Sequence, residues 1–275
     1  MFVHNLNPVI ATLGPFEIRW YGLMYVIGFI LAYFILKHLS KQGRIKLTKE
    51  QLEDMLVYGG IGGILGARLF YVLVYNLTSY LQNPAEIIAV WHGGLSFHGS
   101  VIGGLIGLYL FSRKYKFDFL EILDISSIPF VLGLALGRIG NFINGELYGR
   151  VTDVSWCVQF PGAEGCRHPS QLYASVKDLL IFATLWVLKD KTRSKSKTSL
   201  DPVERGSTWE MKKGMLAATF ILMYSVLRFI VEFFREPDPQ LGFLAFGLSM
   251  GQLLSVLMFI FGVFLFIKIN KNIKQ

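Results

Sequence analysis

The stretch ISSIPFVLGLALGRIGNFINGELYGR, Ile125–Arg150, decides how this chain is read. Its first half, Ile125–Leu136, is an apolar run. Its second half, Gly137–Arg150, places Arg138, Asn141, Asn144, Glu146 and Arg150 among glycines. A guanidinium, a carboxylate and amides are costly near hydrocarbon and persist there only with partners or a ligand. The glycines let backbone come close to whatever is held. The segment is a site at the end of a membrane span.

Outward from it, apolar stretches long enough to cross a bilayer, roughly 17 to 25 residues each, recur along the chain. They fall near Trp20–Leu36, Met55–Tyr75, Phe97–Phe111, Leu120–Ile139, Leu172–Leu188, Met215–Phe233 and Leu244–Ile267. The third is short and rich in glycine. With 53% apolar residues and a mean hydropathy of +0.47, the 275-residue chain has little length left for a soluble domain. The expectation is an all-α polytopic bundle of about seven spans, residues 1–275 forming one integral-membrane domain. Its outer loops are 76–96, 140–171 and 234–243, and 189–213 is a polar cytoplasmic linker.

The net charge of +8 does not call for nucleic acid. Lys and Arg cluster in Lys37–Lys49, Arg113–Lys116, Lys189–Lys213 and Lys268–Lys274, which hold 19 of the 27 basic residues. With seven spans these four segments share one side, and the positive-inside rule makes that side cytoplasmic. The N-terminus is then outside and the C-terminus inside. No cleavable signal peptide is visible, and Trp20 and Tyr21 suit interfacial anchoring. Cys157 and Cys166 fall in an outer loop, where an oxidising compartment admits a disulfide.

Eight basic residues remain: Arg19, Arg68, Arg138, Arg150, Arg167, Lys177, Arg228 and Arg235. Arg19 and Lys177 suit snorkelling to the outer headgroups. Arg offers a planar fork for phosphate or carboxylate and stays charged when partly desolvated. Arg228, Glu232 and Arg235 stand at i, i+4 and i+7, one face of the sixth span. Alone they could form a self-neutralising ladder. Together with Arg138 they leave positive potential at headgroup depth, suited to an anionic phospholipid.

The topology gathers Tyr21, His98, Arg138–Arg150, His168, Arg228, Glu232 and Arg235 in the outer half of the bundle. His98 could serve as a general base, because neutral imidazole accepts a proton near pH 7; for a lone His, bonding to a backbone carbonyl is the favoured reading. His92 and His168 are weaker candidates, without the HExxH spacing of a zinc site. No GxSxG elbow is present. Glycines at helical spacing in the second and third spans suit close helix packing. On the residues alone, a lipid transporter or a noncatalytic receptor for precursor proteins would also need such an Arg-lined surface.

Several blocks, in order, resemble the prolipoprotein diacylglyceryl transferases. They are WYGLMYVIGF (Trp20–Phe29), GGLSFHG (Gly93–Gly99), GRIGNFINGELYGR (Gly137–Arg150), RHPSQLY (Arg167–Tyr173), RFIVEFFREPD (Arg228–Asp238) and SMGQLLS (Ser249–Ser255). The resemblance implies a multi-pass enzyme of the bacterial inner membrane, its active site toward the extracytoplasmic side. It implies transfer of the diacylglyceryl group of phosphatidylglycerol to the lipobox cysteine of a preprolipoprotein, forming a thioether and releasing glycerol 1-phosphate. The partners implied are the phospholipid and signal peptides bearing a lipobox, with no metal or other cofactor. By motif, catalysis falls to His98, Arg138, Arg228, Glu146 and Glu232. Lipid binding falls to Tyr21, Arg138, Asn141, Gly149, Arg228 and Arg235. Ala174 and Ser100 depart from the family pattern, where Glu and Gly are expected.

Overall fold

The computed structural model describes residues 2–14, 16–89, 91, 93–192, 212–237, 242, 244 and 247–271. His92, most of the 189–213 linker and most of the 238–246 segment therefore lie outside the described residues. The helices are α1 (Trp20–Lys41), α2 (Lys49–Phe70), α3 (Leu77–Gln82), α4 (Phe97–Tyr115), α5 (Phe119–Ile143), α6 (Ser170–Leu188), α7 (Met215–Glu232) and α8 (Met250–Lys271). A helix covers each of the seven expected spans. Six of the helices, α4 and the short α3 excepted, are long and apolar enough to cross a membrane. The helical polytopic class expected from hydropathy is what the chain adopts.

Two boundaries differ from expectation, for identifiable reasons. The last span begins at Met250 and not at Leu244, because Ser249 and Gln252 cap each other: the Ser249 amide donates to Gln252 Oε1 (2.9 Å) and the Gln252 amide donates to Ser249 Oγ (3.3 Å). This is a capping box, and it fixes where the helix starts. The fourth span continues through Ile143, so Asn141 joins Arg138 on α5 and does not lie in the loop after it. Four short strands also stand outside the helices: β1 (Phe2–Val3), β2 (Val9–Leu13), β3 (Phe16–Arg19) and β4 (Val158–Gln159).

The chain divides into two compact units, residues 1–35 with 124–275, and residues 36–123. In the first unit β1 pairs in parallel with β4, and β2 with β3 in an antiparallel hairpin. His4 follows β1 and is buried, its Nε2 2.7 Å from the Phe142 carbonyl at the end of α5. Its ring lies against Phe142 and Phe160, and Phe160 belongs to a small apolar core with Val158 and Ala163. Cys157 and Cys166 form a disulfide beside this core. At the other end of the helices, Asp124 of α5 accepts hydrogen bonds from the Gly214 and Ala217 amides (2.7 and 2.9 Å) and so caps α7 from a distance.

In the second unit α2 and α4 pack backbone to backbone. A Cβ on Gly66 would sit 2.6 Å from the Gly103 Cα, and one on Gly103 would sit 2.7 Å from the Gly66 Cα. In lipid the hydrophobic effect does not press helices together, so such close approach supplies much of the adhesion. Lys49 begins α2 behind a capping box of Thr48 and Gln51, and Ser96 caps α4.

Candidate functional site

In the first unit the C-terminal ends of α5 and α7 meet the N-terminal end of α6. The loop after α5 ties them. Gln171 Nε2 donates to the Glu146 carbonyl (2.6 Å) and Ser170 Oγ to the Leu147 carbonyl (3.0 Å). The Gly149 amide donates to the His168 carbonyl (2.8 Å), and the Arg150 amide to the Phe234 carbonyl (3.0 Å). A Cβ at Gly149 would stand 2.7 Å from both the Cβ and the carbonyl oxygen of His168, so only glycine fits this crossing of three segments. Gly149 also bridges Arg235 in antiparallel fashion.

Arg138 stands on α5 about 7 Å below the helix end, counting 1.5 Å per residue. Its Nη1 lies 3.5 Å from Asn141 Oδ1, and Asn141 Nδ2 donates to Glu146 Oε1 (2.8 Å). Asn144 Nδ2 donates to the same oxygen at 3.3 Å. Glu146 thus reaches Arg138 through Asn141. Among the described residues no carboxylate lies within ion-pair distance of Arg138. The Tyr224 hydroxyl of α7 is its other partner. Tyr21 packs on Gly140, where a Cβ would lie 2.8 Å from its ring, and its hydroxyl pairs with that of Tyr25 (3.0 Å).

Arg228 is half-buried on α7 and pairs with Glu232, Nη2 to Oε2 2.7 Å. Arg138 and Arg228 act on common neighbours: Tyr224 and the Lys177–Asp178 pair of α6. The two guanidiniums therefore share one electrostatic environment. Lys177 corrects the expectation of snorkelling. It is 4% exposed, hydrogen-bonded to Asp178 (1% exposed), with Nζ 3.9 Å from the centre of the Tyr224 ring. Its neighbour in sequence supplies the countercharge, so it has no need to reach for headgroups.

Two further arginines depart from the pattern expected of them. Helix α7 ends at Glu232, so Arg235 lies past the helix in the strand-like bridge to Gly149 and does not continue the Arg228–Glu232 face. Its carbonyl accepts from Arg150 Nε at 3.0 Å. Arg68 in the second unit is 4% exposed and directs all five guanidinium N–H groups at backbone carbonyls. They are those of Glu86, Ile87 (2.9 Å), Ala89 (3.1 Å), Gly93 (2.5 Å) and Gly94 (3.1 Å). It is a template for the loop before α4, with no donor left for an anion.

His98 stands exposed in the first turn of α4, in the second unit, its ring edge-on to Phe97. His168 sits in the first unit against Phe234 and Tyr173, its Nδ1 3.1 Å from the Tyr173 hydroxyl. That hydroxyl accepts from Trp156 Nε1 (2.7 Å), leaving its own proton for His168. Burial holds the His168 imidazole below its ordinary pKa. Arg167 pairs with Glu236 at 3.0 Å and covers the Tyr148 ring.

Reading the sequence left out Tyr25, Tyr224, Gln171 and Ser249. Tyr224 carried a signal, since it precedes Arg228 by four residues and shares its helix face. Ser249 and Gln252 carried another, the S-x-x-Q spacing of a capping box.

The chain is similar to known proteins along nearly its whole length. Residues 8–268 match the prolipoprotein diacylglyceryl transferase family. A relative from Geobacter sulfurreducens is 44% identical over 270 residues, covering 98% of this chain and 97% of its own. One from Rickettsia typhi is 42% identical over 274 residues, covering 99% and 100%. One from Neisseria gonorrhoeae is 42% identical over 290 aligned positions, covering 96% of each. All three are phosphatidylglycerol–prolipoprotein diacylglyceryl transferases. By full-length identity and matching motifs, the chain belongs to the prolipoprotein diacylglyceryl transferase family.

Proposed function

We propose that the protein transfers the diacylglyceryl group of phosphatidylglycerol to the lipobox cysteine of a preprolipoprotein. The observation that carries this reading is Arg138: a guanidinium inside a helix bundle, polar partners beside it, and no carboxylate within ion-pair distance among the described residues. Arg228, anchored by Glu232, shares its surroundings. Such a pair suits one phosphate whose acyl chains stay among apolar side chains.

A cysteine thiol, with pKa about 8.5, is mostly protonated at neutral pH, and the thiolate is the nucleophile. The thiol proton passes to a base, and His98 is the residue assigned that role. The thiolate attacks the glyceryl carbon bearing the phosphate ester, the S–C bond forms and the C–O bond breaks. The electron pair leaves with the phosphate, giving glycerol 1-phosphate and a thioether. Arg138 and Arg228 stabilise the charge growing on the departing phosphate more than that of the bound lipid, which is what accelerates the step. Asn141 and Glu146 orient Arg138, Glu232 orients Arg228, and Tyr21 and Arg235 contribute to the headgroup site. Gly149 keeps the surrounding segments close.

The protein is read as a bacterial inner-membrane enzyme with this end of the bundle outside. The Cys157–Cys166 disulfide supports that side, since disulfides persist in oxidising compartments. The lysines and arginines of the opposite loops support it as well. Purified protein mixed with phosphatidylglycerol and a lipobox peptide is expected to release glycerol phosphate as the cysteine gains the diacylglyceryl mass. Movement of lipid between leaflets without either product would make it a transporter. Binding of the peptide alone would make it a receptor. Full turnover in His98→Asn would remove His98 as the base and leave the rest standing.

A further inference from the structure

The block Ser249–Ser255 does more than set the start of α8. Its first four residues do something specific. Ser249 Oγ takes the Gln252 amide as an acceptor, which caps α8, and still has a hydroxyl proton. That proton goes to Glu232 Oε1 at 3.0 Å. Ser249, Gln252 and Glu232 are all at least 95% buried. Gly251 forms the floor: a Cβ there would lie 2.6 Å from Glu232 Oε1 and 2.7 Å from its carboxyl carbon. The carboxylate therefore rests on bare backbone at the first turn of a 22-residue helix, whose positive end favours an anion.

The two oxygens of Glu232 are not equivalent. Oε1 is hydrogen-bonded to Ser249. Oε2 is 2.7 Å from Arg228 Nη2, yet it accepts no hydrogen bond among the described residues. The pairing there is the close ion pair with Arg228. A carboxylate anchored through one oxygen presents the other in a fixed direction, and so holds Arg228 in place.

We infer that Ser249 and Gly251 are positioning residues for the reaction: they seat Glu232 so that its second oxygen holds the Arg228 guanidinium toward the phosphate. This rests on the reading that Arg228 and Glu232 serve the phosphate site. The chemistry stays with the guanidinium. The capping box of α8 supplies its orientation from the next helix.

The test uses the full chain in phosphatidylglycerol mixed micelles and measures kcat and KM for Ser249→Gly, Ser249→Thr, Gly251→Ala and Glu232→Gln. Glycine is an acceptable N-cap, so Ser249→Gly keeps α8 while losing the donor to Glu232. It is expected to fold, with kcat lowered about 10- to 100-fold, as for loss of a hydrogen bond to a charged group, and with KM for the lipid little changed. Ser249→Thr retains both hydroxyl functions and is expected to recover most of the rate. Gly251→Ala displaces the carboxylate and is expected to be slower than Ser249→Gly. A slow Glu232→Gln beside a fully active Ser249→Gly overturns the positioning role alone, as does a Thr variant no better than the Gly variant. A fully active Glu232→Gln overturns the reading beneath it.

Discussion

Arg68 and Arg138 are both arginines near the end of an apolar helix, and the molecule uses them in opposite ways. Arg68, in the second unit, is saturated: five N–H groups meet five carbonyls of the segment that leads into α4. Arg138, in the first unit, is nearly unoccupied, with one long contact to Asn141 and one to Tyr224. The lesson concerns the loops beside them. The segment after α2 turns its carbonyls inward, helped by Gly93 and Gly94 at positive φ. The segment after α5 turns its amides and carbonyls to His168, Phe234 and Gln171, and leaves the guanidinium alone. A saturated arginine builds structure, whereas an arginine with donors to spare is available for a ligand.

The sharpest way to break this contrast is to exchange each guanidinium for an ammonium. Arg138→Lys keeps the charge and loses the fork. Turnover is expected to fall about 100- to 1000-fold, the usual cost of losing one preorganised donor set, with the melting temperature nearly unchanged. Near-normal turnover would end the claim that Arg138 grips phosphate. Arg68→Lys should do the reverse. Three donors cannot serve five carbonyls, so about 2 kcal/mol of stability is expected to go, read as a lower melting temperature, while KM for phosphatidylglycerol stays as it was. A raised KM without loss of stability would place Arg68 at the lipid.

The smallest effect concerns His168, which belongs to the same loop crossing as Gly149. Burial lowers its pKa in the folded protein below the ordinary 6.5. The neutral form is therefore favoured by folding, and the stabilisation is present above the unfolded pKa and lost as the pH falls through the folded one. Melting temperature is expected to drop on acidification below about pH 6.5, and His168→Asn should remove that part of the slope. An unchanged slope would mean that other groups carry it.

Much of this was legible beforehand, for physical reasons. Hydropathy and length point to a helical polytopic chain because lipid leaves the backbone few alternatives, and six of the described helices are long and apolar enough to span. The cost of burying Arg138, Asn141 and Glu146 pointed to a site at the end of α5, and those three side chains do interact in series. The fate of Arg68 was not legible, since its partners are main-chain carbonyls, which every residue possesses. Lys177 misled because an adjacent Asp178 was given no weight as a buried partner. Arg235 misled because the helical period was carried three residues past the end of α7. The strand β1 was missed because a two-residue pairing leaves no pattern to detect, and the longer β2–β3 hairpin was missed with it.

One of those pairings has a bearing on how the protein is made. Residues 2 and 3 lie in register with 158 and 159, the His4 amide donates to the Gln159 carbonyl (2.9 Å), and the His4 ring meets Phe142. That pairing can therefore close only after helices α1 to α5 and the loop that carries β4 have been made. Assembly of this face is thus a late event in biogenesis, timed by the synthesis of residues 158 and 159 and not by that of residues 2 and 3.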